Sequence, residues 1–165
     1  LELARMDNLP AGTHFEECDL SRIAEDSLLP FEPLFFEKGL RIESRIEPEI
    51  CLKGDAVRLR ELIDIFLDNA GKYSAPGGCT KISLARQGHS CHLCVENLGE
   101  EISPDDLKNI FKRFYRVDKA RSMNHSYGLG LPIAKSIVER YHGKIWAESK
   151  NGTVAFKVQL PTAHK

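Results

Sequence analysis

The sequence predicts an α+β fold: a two-layer α/β sandwich with a mixed, mostly antiparallel sheet and helices on one face. Three observations predict it. Strand-like segments come in adjacent pairs, joined by short turns at Gly88 and at Asn151-Gly152. Segments of helical period alternate with those pairs instead of gathering in one half. The 165 residues, 42% hydrophobic and 28% charged, suffice for one core.

Residues 1–8 read as the last turns of a helix, closed by the loop Asn8-Leu9-Pro10-Ala11-Gly12. A short strand is expected from His14 to Cys18. Asp19 then caps a helix to about Lys38, with Gly39 as C-cap. Pro30 and Pro33 should kink or interrupt that helix. Two short strands follow, Leu40–Ile46 and Ile50–Leu52, around the turn Glu47-Pro48.

Asp55 caps the clearest helix. Leu59, Leu62, Ile63, Phe66, Leu67 and Ala70 recur at helical spacing, so one face is buried. The break is Ser74-Ala75-Pro76-Gly77-Gly78. Strands Thr80–Arg86 and Cys91–Glu96 come next, and Pro104 opens a helix ending near Phe114. Residues 115–127 carry Arg116, Lys119 and Arg121 with few aliphatics, and read as a mobile basic loop. Gly128-Leu129-Gly130-Leu131 precedes a helix opened by Pro132, striped by Ile133, Ile137, Val138 and Tyr141 and ended by Gly143. The hairpin Lys144–Ser149 and Thr153–Leu160 turns at Asn151-Gly152.

Composition excludes several classes. Lys and Arg total 23 against 24 Asp and Glu, a net charge of −1, which argues against a large basic footprint for nucleic acid. No apolar run approaches the roughly 20 residues of a membrane span. The N-terminal Leu1-Glu2-Leu3-Ala4-Arg5 is no signal peptide and reads as a cut through a longer protein. Five cysteines are expected as reduced thiols. Cys91 and Cys94 form a C-x-x-C, but on a strand positions three apart face opposite sides, and no second ligand pair sits at a zinc spacing.

Three local features point to chemistry. Asn69, Lys72 and Tyr73 lie at i, i+3 and i+4 on one helix stripe, an amide oxygen, an ammonium and an aromatic face suited to a nucleotide with its metal. Gly128 and Gly130 beside a helix N-terminus let backbone N–H groups approach a phosphate. Arg116, Lys119 and Arg121 are placed to fold over a polyphosphate. Taken singly, each has a bland reading: a lysine at a helix C-terminus, common glycines, a solvated loop.

Their order decides between the two. From about His14 to Pro161 the chain resembles the ATP-binding catalytic domain of sensor histidine kinases, in the superfamily shared with gyrase, the ninety-kilodalton heat-shock protein and MutL. Residues 62–74, with Asn69-Ala70-Gly71-Lys72-Tyr73-Ser74, look like its N box. Val95-Glu96-Asn97-Leu98-Gly99-Glu100-Glu101-Ile102 stands at the first glycine box. Phe111-Lys112-Arg113-Phe114-Tyr115-Arg116 looks like the F box, residues 118–122 like the lid, and Gly128-Leu129-Gly130-Leu131 like the second glycine box.

The resemblance implies a Bergerat-type ATP-binding fold that binds ATP and Mg²⁺. Asn69 is then the metal ligand, and Asn69, Lys72 and Arg121 act catalytically. Tyr73, Asn97, Gly99, Ile102, Phe114, Arg116, Gly128, Leu129, Gly130 and Leu131 complete the nucleotide site. The family usually has Asp where Asn97 stands, accepting from the adenine amino group. An amide oxygen still accepts, more weakly. Glu101 replaces the box's second glycine, and His125 and Ser126 replace small lid residues. Ile65 stands where gyrase-like ATPases carry a water-activating glutamate, which favours transfer to a protein acceptor over hydrolysis. Asn97 and Glu101 also leave open a degenerate, weakly nucleotide-binding regulatory module.

The expected layout is residues 1–13 as the end of the phosphoacceptor helix and its linker, 14–162 as the catalytic domain and 163–165 as a tail. The implied partners are the phosphoacceptor and dimerisation helices of the same protein and a response regulator. The full-length protein would be a homodimer, this piece alone a monomer. The implied location is cytoplasmic, in a membrane-anchored parent.

Overall fold

The computed structural model describes residues 15–115 and 127–162. In chain order these form β1 (Glu16–Asp19), α1 (Leu20–Glu37), β2 (Arg41–Ile46), β3 (Cys51–Gly54), α2 (Ala56–Tyr73), β4 (Cys79–Gln87), β5 (Ser90–Leu98), α3 (Pro104–Asn109), α4 (Tyr127–Arg140), β6 (Lys144–Lys150) and β7 (Thr153–Pro161). The main sheet runs β2-β4-β5-β7-β6, and β1 and β3 form a separate antiparallel pair. Only β2 and β4 run parallel within the five strands. The expected α+β sandwich is the observed one.

Period-2 burial sorts β4 and β5. Thr80, Ile82 and Leu84 of β4 and Cys91, Leu93, Val95 and Asn97 of β5 are buried, while the residues between them are half-buried or exposed. The full predicted stripe of α2 is buried, with Leu59, Leu62, Ile63, Phe66 and Leu67 at 0% exposure. Each such side chain contributes about 1.5–3 kcal/mol through burial. Phe66 stacks on Phe156 of β7, ring centres 5.6 Å apart, and Phe111 meets Phe156 edge-on.

Both predicted caps hold: Asp19 accepts from the N–H of Arg22, and Asp55 from the N–H of Val57. The expected break in α1 does not occur, for the helix continues through Pro30 and Pro33. The carbonyls that would have bonded those missing N–H groups belong to Asp26 and Leu29, both on the exposed side and open to solvent. The C-cap is Lys38, with Gly39 beyond it at φ +70°. Asn151 and Gly152 both have positive φ, which suits the tight β6–β7 turn.

At the far end of α4, the left-handed residue is His142, φ +57°, not Gly143. Gly143 is needed for closeness: a Cβ there would sit 2.5 Å from the carbonyl oxygen of Gln159. Tyr141 is buried, its hydroxyl accepts from the N–H of Asp55 at 2.9 Å, and Phe15 stacks on its ring. Tyr141 thereby joins the C-terminal end of α4 to the N-terminal end of α2. The opposite ends of these two helices carry the predicted site residues.

Candidate functional site

The cap at Asp55 fixes the phase of α2, and that phase divides the predicted stripe. Asn69 is buried at 5% exposure, Tyr73 is half-buried and Lys72 is exposed. Among the described residues the buried Nδ2 of Asn69 has no hydrogen-bond partner. Such an orphaned donor costs about 1–3 kcal/mol, so a polar residue kept there calls for a reason beyond folding. Lys72 turns back along the helix to Asp68, Nζ to carboxylate 2.9 Å. Both groups are about half exposed, so the pair is weak and easily exchanged for another anion.

β5 brings Asn97 to the end of α2. Its side chain is buried, and Nδ2 donates to the carbonyl of Leu98 at 3.0 Å. The same carbonyl accepts from the N–H of Ala75 at 2.7 Å, which ties the turn after α2 to the end of β5. Gly99 donates to the carbonyl of Gly152. A Cβ on Gly99 would lie 2.8 Å from the Tyr73 carbonyl oxygen and 3.1 Å from Asn97 Nδ2, so only glycine admits this approach. Ile102 is buried, and its N–H donates to Ser149 Oγ of β6. The first glycine box is thus sewn between α2 and the β6–β7 hairpin.

The F box splits in two. Phe111 packs into the core, whereas Phe114 is 79% exposed at φ +64°. The helix before it is shorter than expected, ending at Asn109. The hydroxyl of Tyr115 donates to Asp106, which holds its proton more tightly and moves its pKa up. Arg116, Arg121 and the rest of the expected basic loop lie outside the described residues.

The second glycine box differs from expectation. The glycines do not precede the helix: α4 begins at Tyr127, so Gly128-Leu129-Gly130-Leu131 forms its first turn and Pro132 lies inside it. The reason is packing. A Cβ on Gly130 would meet Ile65 Cγ2 at 3.3 Å, and Leu131 is fully buried, so this turn rests on α2. Ile65, noted in the sequence for what it cannot do, has a positive role as that contact.

Cys91 points inward and Cys94 outward, and burial pushes both thiols up to about 11. The two do not converge on a metal. Among the described residues no three His, Cys, Asp or Glu side chains gather to hold one. A Mg²⁺ carried by nucleotide phosphates needs less, since it keeps most of its water and takes one or two protein oxygens. Asn69 can offer one amide oxygen to such an ion, while its nitrogen, a donor with no partner among the described residues, is left for a nucleotide oxygen or a water.

Two polar groups beside these residues were not read from the sequence. Thr80 is fully buried, and among the described residues its hydroxyl has no partner. Its alternation with Ile82 and Leu84 was the available signal. The Leu98 carbonyl, shared by Ala75 and Asn97, left no trace in sequence because it depends on two elements meeting.

The sheet order and the residues gathered at the C-terminal end of α2 are those of an ATPase-type domain. The chain belongs to the histidine kinase-, DNA gyrase B- and HSP90-like ATPase family, whose pattern matches residues 54–164. It is 31% identical over 161 residues to the sensor protein DltS of Streptococcus agalactiae, covering 98% of this chain and 41% of that protein. To the signal transduction histidine-protein kinase BaeS of Escherichia coli K12 it is 32% identical over 145 residues, covering 87% of this chain and 31% of BaeS. The solved structure of the mycobacterial sensor histidine kinase MprB superposes with a TM-score of 0.80 at 27% identity, covering 91% of this chain and all of that one. The chain therefore spans well under half the length of DltS and BaeS. It is an ATPase-type domain of sensor histidine kinase kind. No helix among the described residues is long and apolar enough to cross a membrane.

Proposed function

We propose that this domain binds Mg·ATP and passes the γ-phosphoryl group to a histidine on a helical hairpin elsewhere in the parent protein. The observation that carries the reading is Asn69, a buried amide whose nitrogen has no partner among the described residues, on the helix that also presents Lys72 and Tyr73. The amide oxygen of Asn69 would hold the Mg²⁺. That ion neutralises phosphate charge and aligns the transferred group. Lys72 exchanges the Asp68 carboxylate for phosphate. Tyr73 lies against the adenine side, and the Asn97 oxygen accepts from the adenine amine.

Arg116 and Arg121 would close over the phosphates and neutralise charge that builds during transfer. Gly130 brings α4 close to α2, so its first turn can present backbone N–H groups to the polyphosphate. Ile65 supplies no base, so water stays unactivated and the phosphoryl group waits for a better nucleophile. The histidine acceptor, the response regulator that takes the group onward, the homodimer of the full-length protein and its membrane anchor belong to the same proposal.

Titration of Mg·ATP into this domain by calorimetry tests the reading. One saturable site that weakens when Mg²⁺ is chelated is expected. No heat at millimolar nucleotide would leave the degenerate module as the better description.

A further inference from the structure

We infer that Asn97 makes the base subsite tolerant of purines bearing a carbonyl at C6, so that inosine and guanosine triphosphates enter beside ATP. The inference rests on the nucleotide reading above and extends it to the substrate class. A carboxylate at this position only accepts hydrogen bonds, and would meet a C6 carbonyl with oxygen against oxygen. An amide carries an acceptor and a donor on one rotatable plane.

Three features of the structure make that plane easy to turn. First, Asn97 Nδ2 is held by one neutral hydrogen bond, to the Leu98 carbonyl at 3.0 Å. Second, that carbonyl is also satisfied by the Ala75 N–H at 2.7 Å, so releasing the amide leaves no orphaned acceptor. Third, the residue beside Nδ2 is Gly99, whose missing Cβ would have stood 3.1 Å away and wedged the amide in place.

A fourth feature receives the turned amide. Thr80 and Asn97 are the next residues along β4 and β5 beyond the paired Lys81 and Glu96, and both are buried. The Thr80 hydroxyl has no partner among the described residues. It can donate to an amide oxygen that turns inward.

With Nδ2 donating to Leu98, Oδ1 is left to accept, which suits the 6-amino group of adenine. With the plane turned far enough that Oδ1 clears the Leu98 carbonyl and accepts from the Thr80 hydroxyl, Nδ2 donates to a C6 carbonyl. The turn forfeits one neutral hydrogen bond, roughly a two- to tenfold loss in affinity. A buried group left facing a like pole costs several orders of magnitude.

The test compares Mg·ATP with Mg·inosine triphosphate on the intact domain. Inosine carries the C6 carbonyl without the 2-amino group of guanine, so a clash at C2 cannot imitate discrimination at C6. The expected preference for ATP is about two- to tenfold, and no more than about thirtyfold. In Asn97→Asp the preference should widen at least about tenfold, because the carbonyl then faces a carboxylate. A wild-type preference above about thirtyfold, or an unchanged ratio in Asn97→Asp, overturns the inference while ATP binding stands. Failure of both nucleotides to bind overturns the nucleotide reading itself.

Discussion

Replacing Asn69 with leucine should stabilise the empty domain and abolish its Mg²⁺-dependent nucleotide binding. Asn69 is 5% exposed and its Nδ2 is unpartnered among the described residues, so folding pays a desolvation penalty of about 1–3 kcal/mol there. Leucine branches at the same carbon, removes the orphaned donor and favours the helix by a few tenths of a kcal/mol. Its extra bulk reduces the gain. The net is about 1–2 kcal/mol, or a rise of about 2–8 °C in Tm for a domain of this size. Thermal unfolding by circular dichroism, without nucleotide and then with Mg·ATP, reads both effects. The wild type should gain stability from the ligand by mass action, and the variant should not. A variant that melts lower than wild type yet is still stabilised by Mg·ATP would refute the reasoning, because Asn69 would then be a structural residue.

Two further predictions follow from the same geometry. Gly99→Ala forces a Cβ to within 2.8 Å of the Tyr73 carbonyl, so the domain should lose about 1–3 kcal/mol in urea melts and bind nucleotide more weakly. Equal melts would mean that this loop is not held against α2. Burial pushes Tyr141 up to about 12, opposed by the N–H of Asp55, whereas an unfolded tyrosine titrates near 10. The native state keeps the proton longer, so stability is full below about pH 10 and falls as pH rises toward about 12. Between pH 9 and 11 the urea midpoint should fall further for wild type than for Tyr141→Phe, and parallel losses would contradict the assignment.

Much of the fold was legible because local pattern and tertiary need agree. The α2 stripe is an example: its period, its cap and its burial all follow from the same residues. The departures arise where a distant contact decides. Pro30 and Pro33 argue locally for a break, but their exposed side lets α1 run on. The glycines at 128 and 130 read as loop, yet Gly130 meeting Ile65 sets that turn as helix against α2. At the site, residue types and order pointed to Asn69, Lys72, Tyr73 and Asn97. The Asp68 partner of Lys72 was visible at i−4 as a possible ion pair. The shared Leu98 carbonyl and the neighbouring Thr80 hydroxyl were not, because strand register and the turn at Ala75 create them.

The most direct measurement follows γ-labelled ATP in the full-length parent protein. Label should appear on a histidine outside residues 1–165, as an acid-labile, base-stable phosphate, and Asn69→Ala should prevent it. Label released only as free phosphate, or transfer that persists undiminished in Asn69→Ala, would contradict the account.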